Sequence, residues 1–339
     1  MPQSTIAKSF VAEMNDLDKI ATRIREITGW PFSSSVKIVT DTTAWDRITR
    51  GNVIRLDSQD FVVTGNQYEK RFGISDQPKY WVFDVFDLKT GEQKIIKTVF
   101  YEEFNVHIGM FKVHCFRSPE KEGDVLDLVR GDYRFMQGIT TLDDKNNRVR
   151  VIDYIKGDSF FNHVVGIKKK HRQYFEQDLP GILWKLIDSI EAIRFLHRNE
   201  TCHGDIRNDH IIIDTDTGKY RWIDFDLNQY VSDFDTWSIG NIINYAVGKG
   251  ITSFKNVMRD QNVTEKVKRS LESSDASAFY EYRIMNLKKL FPYIPSRLNN
   301  LLLHFTIRPK AYYETIDQLL DDYYKMLEEE FPQGQSKGD

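Results

Sequence analysis

Apolar residues at Phe10, Met14, Leu17, Ile20, Ile24 and Ile27 recur three to four positions apart. This period predicts an amphipathic helix from Phe10 to Ile27 that packs on the chain's own body. Ser33, Ser34 and Ser35 then mark a junction. The pattern next changes to short runs of strand character, at Val53 to Leu56, Asp60 to Thr64 and Tyr80 to Phe86. The last is joined through LKTGEQ to Lys94 to Phe100, which reads as a hairpin. Ser118-Pro119-Glu120 has the features of a helix start: a capping hydroxyl, a proline for the first turn and an early carboxylate. The helix it opens turns Val125, Leu126 and Val129 inward. Phe135 to Thr141 and Val149 to Ile155 are two more strands, on either side of the turn signal DDKNN.

Beyond Gly157 helical periodicity takes over, at Ile182 to Leu196, Trp237 to Val247, Leu298 to Phe305 and Thr315 to Leu327. Between the first two lies a strand-turn-strand, HIIIDTDTGKYRWIDFD. A β-rich half followed by an α-rich half predicts an α+β chain of two lobes with a hinge near Asp153 to Gly157. The expected divisions are a helical extension at 1–50, a first lobe at 51–155, a second at 156–331 and a polar tail at 332–339. The basic run from Lys168 to Arg172 reads as a solvated face.

Composition removes several classes of function. Lys and Arg number 47 against 50 Asp and Glu, so the net charge of -3 offers no broad positive field for nucleic acid. The two cysteines, Cys115 and Cys202, exclude a disulfide framework and a four-cysteine zinc site. No apolar run reaches the roughly 18 residues of a membrane span. The opening MPQSTIAKSFVAEMNDLDK lacks the basic-then-apolar layout of a secretion signal, which points to the cytoplasm.

The chemistry concentrates in His203-Gly204-Asp205-Ile206-Arg207-Asn208-Asp209-His210, followed by Ile211 to Ile213 and then Ile223-Asp224-Phe225-Asp226. Two carboxylates at the ends of short strands suit metal-assisted phosphoryl transfer: one orients or deprotonates a hydroxyl, the other holds a divalent cation. In order and spacing these motifs resemble the catalytic loop and metal motif of the protein-kinase-like superfamily, in an atypical, bacterial-style Ser/Thr form with HGD and DFD. Lys97, in Ile95-Ile96-Lys97, looks like that family's strand lysine. Asp235-Thr236-Trp237-Ser238-Ile239-Gly240 looks like the start of its long buried helix, and LLLHFTIRPKA, with Arg308, like the end of its second lobe. The resemblance spans roughly residues 60–327.

The resemblance implies a bilobal kinase-like fold, β-rich first and helical second, that uses ATP with Mg²⁺ or Mn²⁺. Asp205 would be the catalytic base and Arg207 a neutraliser of the transferring phosphoryl. Asp224 would be the principal metal ligand and Lys97 the phosphate anchor. Glu122 would pair with Lys97, with Glu120 as the competing candidate. Ile74, Val82, Ile95 and Ile212 would sandwich adenine, and the backbones of Asp153 and Ile155 would bond its edge.

Four departures qualify these roles. His210 stands five positions after Asp205, where kinases place a metal-binding Asn; an imidazole there suits either a metal or phosphate role or packing. Asp226 replaces the glycine after Asp-Phe, as a second metal ligand or as the mark of a fixed loop. Asp224 and Asp235 are only eleven positions apart, too few for a long peptide-docking segment, and there is no Ala-Pro-Glu for Arg308 to meet. The phosphate loop, GISDQPKY from Gly73 to Tyr80, has one glycine. The expected function is transfer of the γ-phosphate of ATP to a hydroxyl, on Ser or Thr of a protein or on a small molecule or sugar. The alternatives are a pseudokinase scaffold and a nucleotidyltransferase on the same fold.

Overall fold

A computed structural model describes residues 3–31, 36–69, 77–108, 111–231 and 233–333 of the chain. In chain order the elements are α1 (Gln3–Thr28), β1 (Ile38–Val39), β2 (Val53–Leu56), β3 (Gln59–Glu69), β4 (Gln77–Asp87), β5 (Gln93–Lys97), β6 (Glu102–Ile108) and β7 (Phe111–Arg117). There follow α2 (Pro119–Leu128), β8 (Gly138–Leu142), β9 (Arg148–Asp153), β10 (Gly157–Ser159), α3 (Phe160–Gly166), α4 (His171–Gln177) and α5 (Leu179–Arg198). The remainder comprises β11 (Ile211–Asp214), β12 (Tyr220–Trp222), β13 (Leu227–Gln229), α6 (Phe234–Val247), α7 (Phe254–Arg259), α8 (Glu265–Ser270), α9 (Ser296–Leu303) and α10 (Ile316–Glu330). The chain is a mixed α+β protein, and among the described residues no helix is long and apolar enough to cross a membrane.

Contacts divide it into two units. The first comprises Met1–Tyr101, Ser118–Gly131 and Gln137–Tyr154; the second takes Glu102–Arg117, Asp132–Met136 and everything from Ile155 onward. The second unit therefore draws two segments, 102–117 and 132–136, from the stretch that the sequence assigns to the first lobe.

The first unit is a seven-stranded sheet in the order β1-β2-β3-β4-β5-β9-β8, antiparallel except for β1 with β2. One face buries Ile54, Phe61, Val63, Phe83, Val85, Ile96, Val149 and Val151 in a single cluster. The other buries Val53 and Val62 beneath Ile20, Ala21 and Ile24 of α1. Two covered faces explain why Phe61-Val62-Val63 shows no polar alternation. Helix α1 stops at Gly29, whose φ of 69° closes the last turn with a bond from its N–H to the Arg25 carbonyl. The helix thus packs through Leu17, Ile20, Ile24 and Ile27 as its period predicts, while Phe10 and Met14 lie outside the described side chains.

The second unit has two three-stranded sheets, β10-β11-β12 and β13-β7-β6, with helices that include the buried α5 and α6. Sequence patterning places no element between Phe100 and Ser118, yet β6 and β7 form a regular hairpin there. In α6, Gly240 is needed for packing: a Cβ on it would come within 2.4 Å of the Phe305 ring. At the head of α4, His171 lies in the run read as a solvated face. Lys168, Lys170 and Arg172 are exposed, but the imidazole is stacked on Phe291 at 3.6 Å. Its Nε2–H donates to the Val247 carbonyl at 2.8 Å, and Nδ1 meets the Tyr293 hydroxyl at 2.7 Å.

Burial pushes His171 down to a pKa of about 4, from 6.5 for a free side chain. The unfolded chain binds a proton that the folded imidazole refuses, so this contribution is complete above pH 6.5 and is lost as the pH falls toward 4. Replacing His171 by Gln is expected to shrink the stability difference between about pH 7 and pH 4.5 by about 2 kcal/mol. Urea denaturation at the two pH values measures it.

Candidate functional site

Lys97 ends β5, with Val82 opposite it on β4 and Arg150 opposite it on β9. Cross-strand partners project to one face, so a valine, a lysine and an arginine line up there, with Ile95 two residues back on the same side. Helix α2 supplies the countercharge. Its start is fixed by the Ser118 hydroxyl, which accepts the Lys121 N–H, and by Pro119 in the first turn. Both Glu120 and Glu122 therefore lie in that first turn, where the helix dipole favours carboxylates.

The two carboxylates part ways. Glu122, fully buried, has Oε1 at 2.5 Å from Lys97 Nζ and Oε2 at 3.1 Å from Arg150 Nε. Glu120 accepts the Tyr101 hydroxyl at 2.7 Å. Arg150 also donates to the carbonyls of Thr98 and Arg148, at 3.1 and 2.9 Å. One carboxylate thus serves two buried cations. On the same face, opposite Ile95, Asp84 accepts the Gln67 amide at 2.6 Å, and burial pushes its carboxyl upward. Val82 is buried and Ile95 half-buried on this face, whereas Ile74 lies outside the described residues. The N–H of Asp153 already donates to the Gln137 carbonyl at 2.9 Å, so its carbonyl is the backbone group it could offer a ligand.

In the second unit the loop from His203 to His210 connects α5 to β11. Gly204 has φ of 83°, so its place in His203-Gly204-Asp205 is a backbone requirement. Asp235, at the start of α6 and 1% exposed, grips this loop: one oxygen accepts the His203 N–H at 2.7 Å and the other accepts that of Gly204 at 2.9 Å. His197 Nε2 lies 3.1 Å from the same carboxylate. Burial pushes Asp235 up, but His197, His203 and the Gly204 N–H outweigh it and hold the carboxyl below its ordinary value. The His203 ring lies edge-on to Trp222 and Phe225, each at 4.9 Å, and its Nδ1 accepts the Asp205 N–H.

His210 then joins the two carboxylates. Its Nδ1 lies 2.7 Å from the Asp205 carbonyl, which can only accept, so Nδ1 carries a hydrogen. Its Nε2 faces Asp224 Oδ2 at 3.6 Å. Asp224 is buried, with φ of 64°, a left-handed conformation that Asp adopts more readily than most residues. For Asp205, burial raises the carboxyl pKa, but His210 with the guanidiniums of Arg117 and Arg207 brings it below the ordinary range. The side chain of Arg207 itself lies on Asp209, at 3.0 and 2.5 Å. Ile212 is half-buried on β11, Ile155 is half-buried at the start of this unit, and Arg308 is exposed.

No protein-family model matches the chain, and no curated protein is significantly similar to it. Among the described residues no group of three or more His, Cys, Asp and Glu side chains is arranged to hold a metal ion. The Asp224 carboxylate and the facing Nε2 of His210 could supply two ligands to a cation that takes the others from phosphates and water, and the imidazole favours Mn²⁺ over the oxygen-seeking Mg²⁺.

Three residues that sequence reasoning did not single out for the site shape it: Asp235, Arg150 and Arg117. Each had a signal. Arg150 sits in Val149-Arg150-Val151-Ile152, where a strand buried on both faces has a charge in its middle. Arg117 follows Val113 and Cys115 at the inward parity of β7, where the alternation predicts an apolar side chain. Removing the Glu122 carboxylate in Glu122→Ala takes from two buried cations the carboxylate they share and is expected to cost ~3–5 kcal/mol. Glu120→Ala, which frees an exposed tyrosine and loses a bond with the Ser118 hydroxyl at the helix start, is expected to cost less, about 1 kcal/mol. Chemical denaturation of the two variants compares them directly.

Proposed function

We propose that the chain is an ATP- and divalent-metal-dependent phosphotransferase of bilobal, protein-kinase-like fold. It transfers the γ-phosphate to a hydroxyl, on Ser or Thr of a protein, in the cytoplasm. The observation that carries this reading is the coupling of Asp205 and Asp224 through one imidazole: His210 Nδ1 bonds the Asp205 carbonyl while Nε2 faces Asp224 across 3.6 Å. Asp205 stays ionised and accepts the proton of the acceptor hydroxyl, or orients it for attack. Lys97, paired with Glu122, binds the α- and β-phosphates, and Val82 and Ile95 on the same sheet face contribute apolar surface for adenine. The metal, when bound to Asp224 and His210, neutralises phosphate charge.

A second reading has one observation in its favour. The Arg117 guanidinium lies 3.3 Å from Asp205 Oδ2, which suits a nucleotide-binding module that performs no transfer.

Asp224→Asn is the informative variant, because Asn tolerates the left-handed backbone while losing the charge. Calorimetry with ATP in EDTA, Mg²⁺ and Mn²⁺ is expected to give metal-dependent binding to the natural chain and its loss in Asp224→Asn. Asp205→Asn is expected to keep nucleotide binding and to lose ~100-fold or more in transfer of γ-label. Binding without any transfer would leave the scaffold reading, and no binding in any metal would overturn both.

A further inference from the structure

Arg117 is held in place by backbone pairing on both sides. In the β6-β7 hairpin it stands opposite Glu102, and in the pairing of β7 with β13 it stands opposite Leu227, the residue after Asp226. Its guanidinium consequently meets three carboxylates. Nη1 donates to Asp226 Oδ1 at 2.5 Å, Nη2 lies 3.3 Å from Asp205 Oδ2, and Nε lies 3.3 Å from Glu102 Oε2. The side chain is 7% exposed, and those of Asp205 and Asp226 are 13% and 11% exposed.

Glu102 is 27% exposed, and the two deeper carboxylates, Asp205 and Asp226, repel one another unless a cation stands between them. Phosphoryl-transfer sites commonly meet such a demand with a second divalent ion, held by a carboxylate and a side chain of the catalytic loop. Here a guanidinium does so with geometry fixed by two strand registers, and it is far more weakly hydrated than Mg²⁺, which gives up its water reluctantly. We propose that Arg117 occupies the place of a second divalent ion among Glu102, Asp205 and Asp226. The site then takes one metal, at Asp224 and His210, and Asp226 is not a metal ligand. Arg117 is a positioning residue: it acts through Asp205, whose carboxylate it orients, and through Asp226, which ties the Asp224 segment to β7. The inference deepens the phosphotransferase reading for its mechanism, but its charge argument needs only the carboxylates.

The test counts Mn²⁺ bound to the full chain, from the paramagnetic resonance of the free ion, first without nucleotide and then with ATP. Arg117→Met keeps the length of the side chain and removes its charge. It is expected to bind one more Mn²⁺ than the natural chain, with no nucleotide needed, and adding Asp226→Asn to it is expected to remove that extra ion. Arg117→Lys, which keeps a cation, is expected to match the natural chain. Asp226→Asn alone, which needs no loss of Arg117, is expected to leave the count unchanged. A folded Arg117→Met that gains no Mn²⁺, or a natural chain that loses one in Asp226→Asn, would overturn the proposal. Should Arg117→Met fail to fold, Asp226→Asn alone decides. A natural chain that binds no ATP while Arg117→Met still gains its ion would sink the phosphotransferase reading and leave this one standing.

Discussion

The carboxylate of Asp235 accepts two successive backbone N–H groups, one with each oxygen, and the loop that presents Asp205 is fixed by that grip. A buried carboxylate demands donors, and backbone amides in a left-handed turn demand an acceptor; each satisfies the other. Because Gly204 adopts the turn and Asp235 is anchored at the head of a buried helix, the loop cannot drift without unpairing both. The bond from His210 to the Asp205 carbonyl and the edge-on packing of His203 follow from that fixed start.

The same rule organises the first unit with different partners. Glu122 is satisfied by two cations, Lys97 and Arg150, that face each other across a strand pair. Helix α2 is therefore tied to the sheet at two points, and the Arg150 tie holds whether or not Lys97 is engaged elsewhere. A helix whose glutamate had only the lysine would be released whenever another partner drew that lysine away. In these two clusters charge is buried where geometry returns it a counterpart, at element ends and strand registers.

Much of this architecture was legible in the sequence. Helix α1, the β4-β5 hairpin, the Ser118 cap and the long helices announce themselves by period and by capping chemistry, because each is decided by neighbours in the chain. The hairpin from Glu102 to Arg117 did not. Its alternation, Phe104 and Val106 against Val113 and Cys115, is interrupted by two histidines and ends on charge. What fixes it is pairing with Leu227 to Gln229, more than a hundred residues away. Among the candidate site residues, motif spacing singles out Lys97, Asp205 and Asp224. The choice between Glu120 and Glu122 depended on which side of α2 met the sheet, and the reach of Arg117 on a β-ladder; neither is a local property.

The path of the chain adds a consequence for how this protein is inherited and dissected. The backbone passes from one unit to the other after Tyr101, Arg117, Gly131, Met136 and Tyr154, so neither unit is a continuous stretch of gene. A fragment cut at Ile155 would begin with β13 deprived of β7 and with Asp205 and Asp226 deprived of their arginine. Recombination at that point, the natural seam by composition, would exchange half of an electrostatic arrangement and leave its counterions behind. The second unit thus depends on a strand that the gene places inside the sequence of the first.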